Sequence, residues 1–279
     1  MKQTLFWILV LLFLYSCENS SSNSKSISPS LVVFSTNSDS TLHYYNMGWH
    51  QIMDLGDYSA AEISYREALE FDEDFLVGKS VLARLTTDHN ERMQLYDELE
   101  NKKSIIKGDE RLILDVYIAL TKYTNLRDQK SDDTEKALDD AFQMGFKNFG
   151  QIAHKYPDEI YLKSEYIEVV HSLHGAQAAL DTLINLTDDT QKLNPFVLGY
   201  RAIMTAETGD YDEALQFALR LSTLLEGQEV ARPDAILADI YFKMENYTEA
   251  KIHADKAHDI DPRNLDASRL KEKIDAKLE

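Results

Sequence analysis

The chain has 279 residues, a formal net charge of −19, and only 10 glycines and 5 prolines. The excess of carboxylates argues against a nucleic-acid partner, because binding a polyphosphate needs clustered cations that release counterions. So few chain breakers, among many Ala, Leu, Glu, Asp and Lys, exclude an all-β fold and suit long helices joined by short turns.

The first element is an address. Lys2 precedes an unbroken apolar run, Leu5 to Tyr15, which is too short to cross a hydrocarbon core of about 20 residues and has the length of a signal-peptide core. Leu14-Tyr15-Ser16-Cys17 follows, with an apolar residue three before the cysteine and a small one just before it. This resembles the bacterial lipobox, although Tyr15 is an uncommon occupant of its position. The resemblance implies diacylglycerol on Cys17, cleavage before it and acylation of the new amine. The alternative is an incidental cysteine behind an ordinary secretory leader. Cys17 is the only cysteine, so no internal disulfide or multi-thiolate metal site can form. The Ser/Asn-rich stretch after it extends the expected tether to residues 18–38.

From residue 39 to 279 the sequence predicts paired helices. The expected spans are 40–55 with 58–71, 75–86 with 88–101, and 108–123 with 132–144. Further on, 157–173 pairs with 175–186, 195–208 with 211–225, and 233–244 with 247–259. The clearest loop expected within the folded part covers 124–134, and a charged helix over 263–279 reads as a cap that shields the final apolar surface. Three stretches repeat one another: Gly56-Asp57-Tyr58 with Ala61, Gly209-Asp210-Tyr211 with Ala214, and Asn246-Tyr247 with Ala250. Glycine permits the tight turn, the tyrosine wedges between helices, and the alanine allows close approach. Pro157, Pro195 and Pro233 stand 38 residues apart, each near the expected start of a first helix, where a missing N–H costs nothing.

These signatures resemble the second half of the tetratricopeptide repeat (TPR), and a period of 34 to 38 residues fits its helix–turn–helix unit. The chain from residue 33 onward is similar to exported bacterial TPR lipoproteins. The similarity rests on Tyr45-Asn46-Met47-Gly48, Asp72-Glu73-Asp74-Phe75 and Gly108-Asp109-Glu110-Arg111-Leu112. It implies an all-α solenoid of about five to six repeats, some degenerate, with a C-terminal capping helix. It also implies a binding role in place of catalysis.

Chemistry-bearing clusters are sparse. His43, His50 and Asp54 share one face of the first helix, and Glu168, His171 and His174 lie at helical spacing near a turn. The first set could be a weak metal site but also falls on positions that line a concave surface, and the second lacks HExxH or a third ligand at a telling distance, so groove and surface positions are the simpler readings. GxSxG, P-loop and GxGxxG motifs are absent, and no cofactor is expected. A TPR protein binds along its concave face, which repeat position maps to His43, Asn46, His50 and Met53 in the first repeat. Later repeats add Phe196, Ile203, Arg232, Asp239, Phe242 and Lys243. The lysine and asparagine set that clamps chaperone tails is missing, and the mixed lining suits an extended or helical peptide. The expected function is therefore a membrane-anchored adaptor for a protein or peptide partner in the bacterial cell envelope, with the outer membrane as the expected site. The alternatives are a part of outer-membrane assembly, pilus or nutrient-uptake machinery, and a hydrolase or metal-dependent enzyme on a helical scaffold.

Overall fold

A computed structural model describes residues 31–278; the leader, Cys17 and the tether up to residue 30 lie outside the described residues. Twelve helices follow in order, and the described residues form no strand. They are α1 (Asp39–Trp49), α2 (Tyr58–Phe71), α3 (Leu76–Leu85), α4 (His89–Lys102), α5 (Gly108–Asp128) and α6 (Thr134–Lys155). After these come α7 (Ile160–Leu186), α8 (Pro195–Glu207), α9 (Tyr211–Leu224), α10 (Arg232–Lys243), α11 (Tyr247–Ile260) and α12 (Leu265–Leu278). α1 runs on into a wide π turn over His50–Leu55. α7 is broken at Gly175, whose φ of 83° is accessible to glycine at little cost, so it contributes a hairpin by itself. Six helical hairpins and a terminal helix make an all-α solenoid of TPR type.

The repeated signatures work as local chemistry. Gly56 and Gly209 take left-handed backbone at φ 72° and 95°, and Glu245 takes the same conformation at φ 60° without the glycine. The next residue, Asp57, Asp210 or Asn246, then caps the second helix. Its side chain accepts the N–H of Ala60 at 2.8 Å, Glu213 at 3.0 Å or Glu249 at 3.4 Å. Ala61, Ala214 and Ala250 are fully buried where paired helices touch.

Several boundaries depart from expectation. α6 continues to Lys155, through Gly145 and Gly150, instead of ending at residue 144. Those glycines serve packing, since a Cβ at Gly145 would lie 3.1 Å from Val169 and one at Gly150 would lie 3.0 Å from Tyr166 on α7. α5 extends to Asp128 because buried Arg92 holds both Asn125, at 2.9 Å, and Asp128. Pro157 lies in the turn before α7 and not in its first turn, whereas Pro195 opens α8 and Pro233 stands in the first turn of α10.

The tether ends sooner than expected, because residues 31–38 pack against the solenoid. Val32 is buried and donates its N–H to Glu159 at 2.6 Å, and Ser35 donates to Glu110 through both N–H and Oγ at 3.0 Å. Phe34 sits edge-on to Tyr45 and Phe75, at 5.3 and 5.8 Å. An apolar residue at every second position, Val32 and Phe34, is what binds this extended strap down.

Candidate functional site

In a simple solenoid each repeat touches only its neighbours. Here the first repeat also touches the last ones. Asp54, buried on the π turn, accepts Nδ2 of Asn194 at 2.9 Å and the N–H of Phe196 at 3.4 Å, next to the start of α8. Its other oxygen accepts the hydroxyl of Tyr161 at 2.8 Å, with His50 Nδ1 at 2.9 Å. Arg232 Nη2 donates to the carbonyl of Ile52 at 2.8 Å, and Asn264 Nδ2 donates to that of Gly56 at 2.8 Å. The concave face is therefore closed into a ring instead of running as an open groove. Asp54, a candidate in the first-helix cluster, is consumed by this closure.

The ring encloses a cavity of about 280 Å³. Its walls come from the inner helices: Trp49 and Met53 on the first repeat, Tyr58 and Tyr65 on α2, Arg84 on α3, Glu165 and Glu168 on α7, Phe196, Tyr200 and Ile203 on α8, and Arg232 on α10. Leu265 and Asp266, exposed at the start of α12, stand at its mouth. Arg84 pairs with Glu165 at 2.9 Å and its guanidinium lies 4.8 Å above the Tyr117 ring. Arg232 lies 5.1 Å above the Phe196 ring.

The cavity perturbs its acids and phenols. Burial first, and then the negative charges of Glu165 and Asp266, push the Glu168 carboxyl up to about 8, against the pull of Arg84 and Arg232. Burial, followed by the nearby Asp266, raises Tyr58; burial and Glu168 raise Tyr200. Burial works against the charged form of Arg84, but Glu165, Tyr117 and Glu168 together more than offset it. Tyr65 is fully buried, and among the described residues neither its hydroxyl nor Arg232 Nε has a hydrogen-bond partner.

Of the residues mapped to the groove, Met53, Phe196, Ile203 and Arg232 meet on this cavity. The others do not join them. His50 faces Asp54, His43 is exposed beside Tyr44, and Asn46 borders a second cavity of about 180 Å³ under the strap. Asp239 pairs with Lys243, which lies 3.5 Å from Glu207, and Phe242 packs on Tyr247 at 5.6 Å. Glu207 also meets His171 Nε2 at 2.7 Å, while His171 Nδ1 faces the Tyr200 hydroxyl at 2.6 Å and His174 packs against Phe146. The two histidines thus diverge. Sequence reasoning missed Arg84, Glu165 and Asp266 as lining groups and weighed Glu168 only as a partner for histidines. The available signal was Arg84 and Glu165 on helical stretches rich in aliphatic neighbours.

The tetratricopeptide-repeat family model matches residues 44–75 and 235–264. These segments cover most of the first hairpin and most of the α10–α11 hairpin, two of the partners in ring closure. No curated protein matches the chain. With its six stacked hairpins, this is a TPR-containing protein with an all-α solenoid fold.

Proposed function

We propose that this protein is a non-catalytic adaptor, anchored by lipid on Cys17 in the bacterial cell envelope, that recognises a protein or peptide partner. The observation that carries the reading is the cavity where the first and last repeats meet, because TPR scaffolds recognise partners with their inner helices. Concave sites with an aromatic wall and a few polar groups are suited to seating an anchoring side chain. The outer membrane is the proposed location. The anchor is supported by Leu14-Tyr15-Ser16-Cys17 behind the eleven-residue apolar run. The strap is held down from Val32 onward, so the chain between it and the proposed lipid on Cys17 has a fully extended length of at most ~50 Å. The ring would then stand close to the lipid surface, and a partner would be captured there.

Two experiments test this reading. A photo-crosslinking residue at Tyr58, near the cavity mouth, should capture a defined partner in living cells, whereas the same residue at exposed Lys136 should not. Equal labelling from both positions would defeat the site assignment. Cys17→Ser should release a folded protein from the membrane fraction, and a variant that stayed bound would remove the lipid anchor from the proposal.

A further inference from the structure

We infer that the central cavity binds an aliphatic primary ammonium group, with the Glu168 carboxylate as its counter-ion. This rests on reading the cavity as the adaptor's recognition site and adds the chemistry of what enters it. Five charged side chains line the space: Arg84, Arg232, Glu165, Glu168 and Asp266. The two cations are already engaged. Arg84 pairs with Glu165 at 2.9 Å, and Arg232 donates to the Ile52 carbonyl at 2.8 Å and stacks on Phe196. Glu168 and Asp266 have no hydrogen-bond or ion-pair partner among the described residues. What the cavity lacks is therefore a partner for Glu168, and a cation that draws off its proton would supply one.

Other ligand classes fit worse. An anion would meet the Asp266 carboxylate and the Glu168 carboxyl, while both arginines are already engaged. A purely apolar group would leave Glu168 buried without a partner, which is costly for a polar group. A hard divalent ion needs six or more oxygens, and the remaining wall is largely aromatic. Those aromatic faces, Trp49, Tyr65, Phe196 and Tyr200, are what favours an organic cation. An ammonium brings three donors. Glu168 can take one. The volume of about 280 Å³ holds one such group on a short stem, and the mouth at Leu265 and Asp266 admits it. The ammonium could come from a lysine of a partner protein or from a free small amine.

Trp49 lines the cavity, and the only other tryptophan is Trp7. The full chain carrying Trp7→Phe, held in detergent micelles, is titrated while Trp49 fluorescence is read. The probes are N-acetyl-lysine N-methylamide, 1,5-diaminopentane and, as an uncharged isostere, N-acetyl-norleucine N-methylamide. At least one ammonium probe should give a saturable change, with at least tenfold weaker binding for norleucine and for Glu168→Gln. Asp266→Asn should weaken binding several-fold, and Glu70→Gln, at an exposed site, should leave it unchanged. The lysine probe binding better than the diamine assigns the group to a protein partner; the reverse assigns it to a free amine. Thermal unfolding shows that each variant is folded. Absence of saturation with both ammonium probes, or equal binding of norleucine, overturns the inference. If crosslinking at Tyr58 captures a partner while neither probe binds, the adaptor reading stands and only the ammonium falls.

Discussion

Asp261 accepts the backbone N–H of Tyr58 at 2.7 Å, although 203 residues separate them in the chain. The other oxygen of the same carboxylate accepts the Ser59 hydroxyl at 2.7 Å. The N-terminus of α2 is thus capped twice, by its own Asp57 and by a residue just after α11, where a negative charge also suits the helix dipole. Asn264 and Arg263 add bonds to the carbonyls of Gly56 and Leu85, and Arg263 pairs with Glu62. A fold whose stability would otherwise be a sum of nearest-neighbour terms acquires a long-range lock.

Asp261→Ala should cost about 2 kcal/mol, since it strands a half-buried N–H and a hydroxyl that bond to a charged acceptor. The distinguishing sign is local. Amide exchange should accelerate at Tyr58 and Ser59, more than 200 residues away in the chain, where an ordinary turn substitution would change nothing. Unaltered exchange at Tyr58 would mean that the ring does not depend on this contact.

Gly48→Ala tests the tightest approach in the first hairpin. A Cβ there would lie 2.6 Å from the ring of Tyr65, which is fully buried and cannot swing aside. The expected destabilisation is about 2–3 kcal/mol by overpacking. Chemical denaturation measures it, and a loss below ~0.5 kcal/mol would show that the ring can relax.

Ala250→Leu probes the same logic at the other end of the lock. Ala250 is fully buried between α10 and α11, so three added carbons should cost roughly 1–3 kcal/mol. The melting temperature reports the outcome, and no fall would place this alanine outside a close helix contact.

Phe34→Ala addresses the strap. The ring contacts Tyr45 and Phe75 edge-on and is only partly buried, so truncation should cost ~2 kcal/mol. Limited proteolysis should then cut within residues 31–38 while the helices resist. A strap that remained protected would be held by the Glu110 and Glu159 hydrogen bonds alone.

What could be read in the sequence, and what could not, follows from the range of each interaction. Gly56, Asp57, Tyr58 and Ala61 act within one turn and one hairpin, so their spacing announces the repeat. Gly145 and Gly150 carry the same letter as the turn glycines but serve contacts with Val169 and Tyr166, and no local pattern separates the two uses. Ring closure depends on single polar residues, Asp54, Asp261 and Asn264, whose partners lie 100 to 200 residues away. Each resembles an ordinary turn or surface residue until the chain is folded. Arg84 and Glu168 were obscured by the same ambiguity, because a charge on a helix usually marks a solvated face. Met53, Phe196, Ile203 and Arg232 were legible because repeat position alone sends them inward.

Glu168→Gln should make the protein more stable at alkaline pH. With its carboxyl pushed up to about 8 in the folded chain and an ordinary value of 4.5, Glu168 holds a proton when folded that it has lost when unfolded, throughout the interval between them. Stability therefore falls as pH rises from 4.5 through 8 and levels off above. The facing groups are Glu165 and Asp266, which raise the value, and Arg84 and Arg232, which lower it. An uncharged isostere removes the Glu168 contribution and leaves the others in place. The gain should be on the order of 2 kcal/mol near pH 8.5, below the full linkage value because the cavity opens to solvent. That corresponds to ~4–8 °C in melting temperature for a chain of this size. The difference between the two proteins should shrink to nothing near pH 4.5. Parallel melting curves across that range would mean that Glu168 is ionised and solvated in the fold. The cavity would then present a standing charge to its ligand instead of one that the ligand must create.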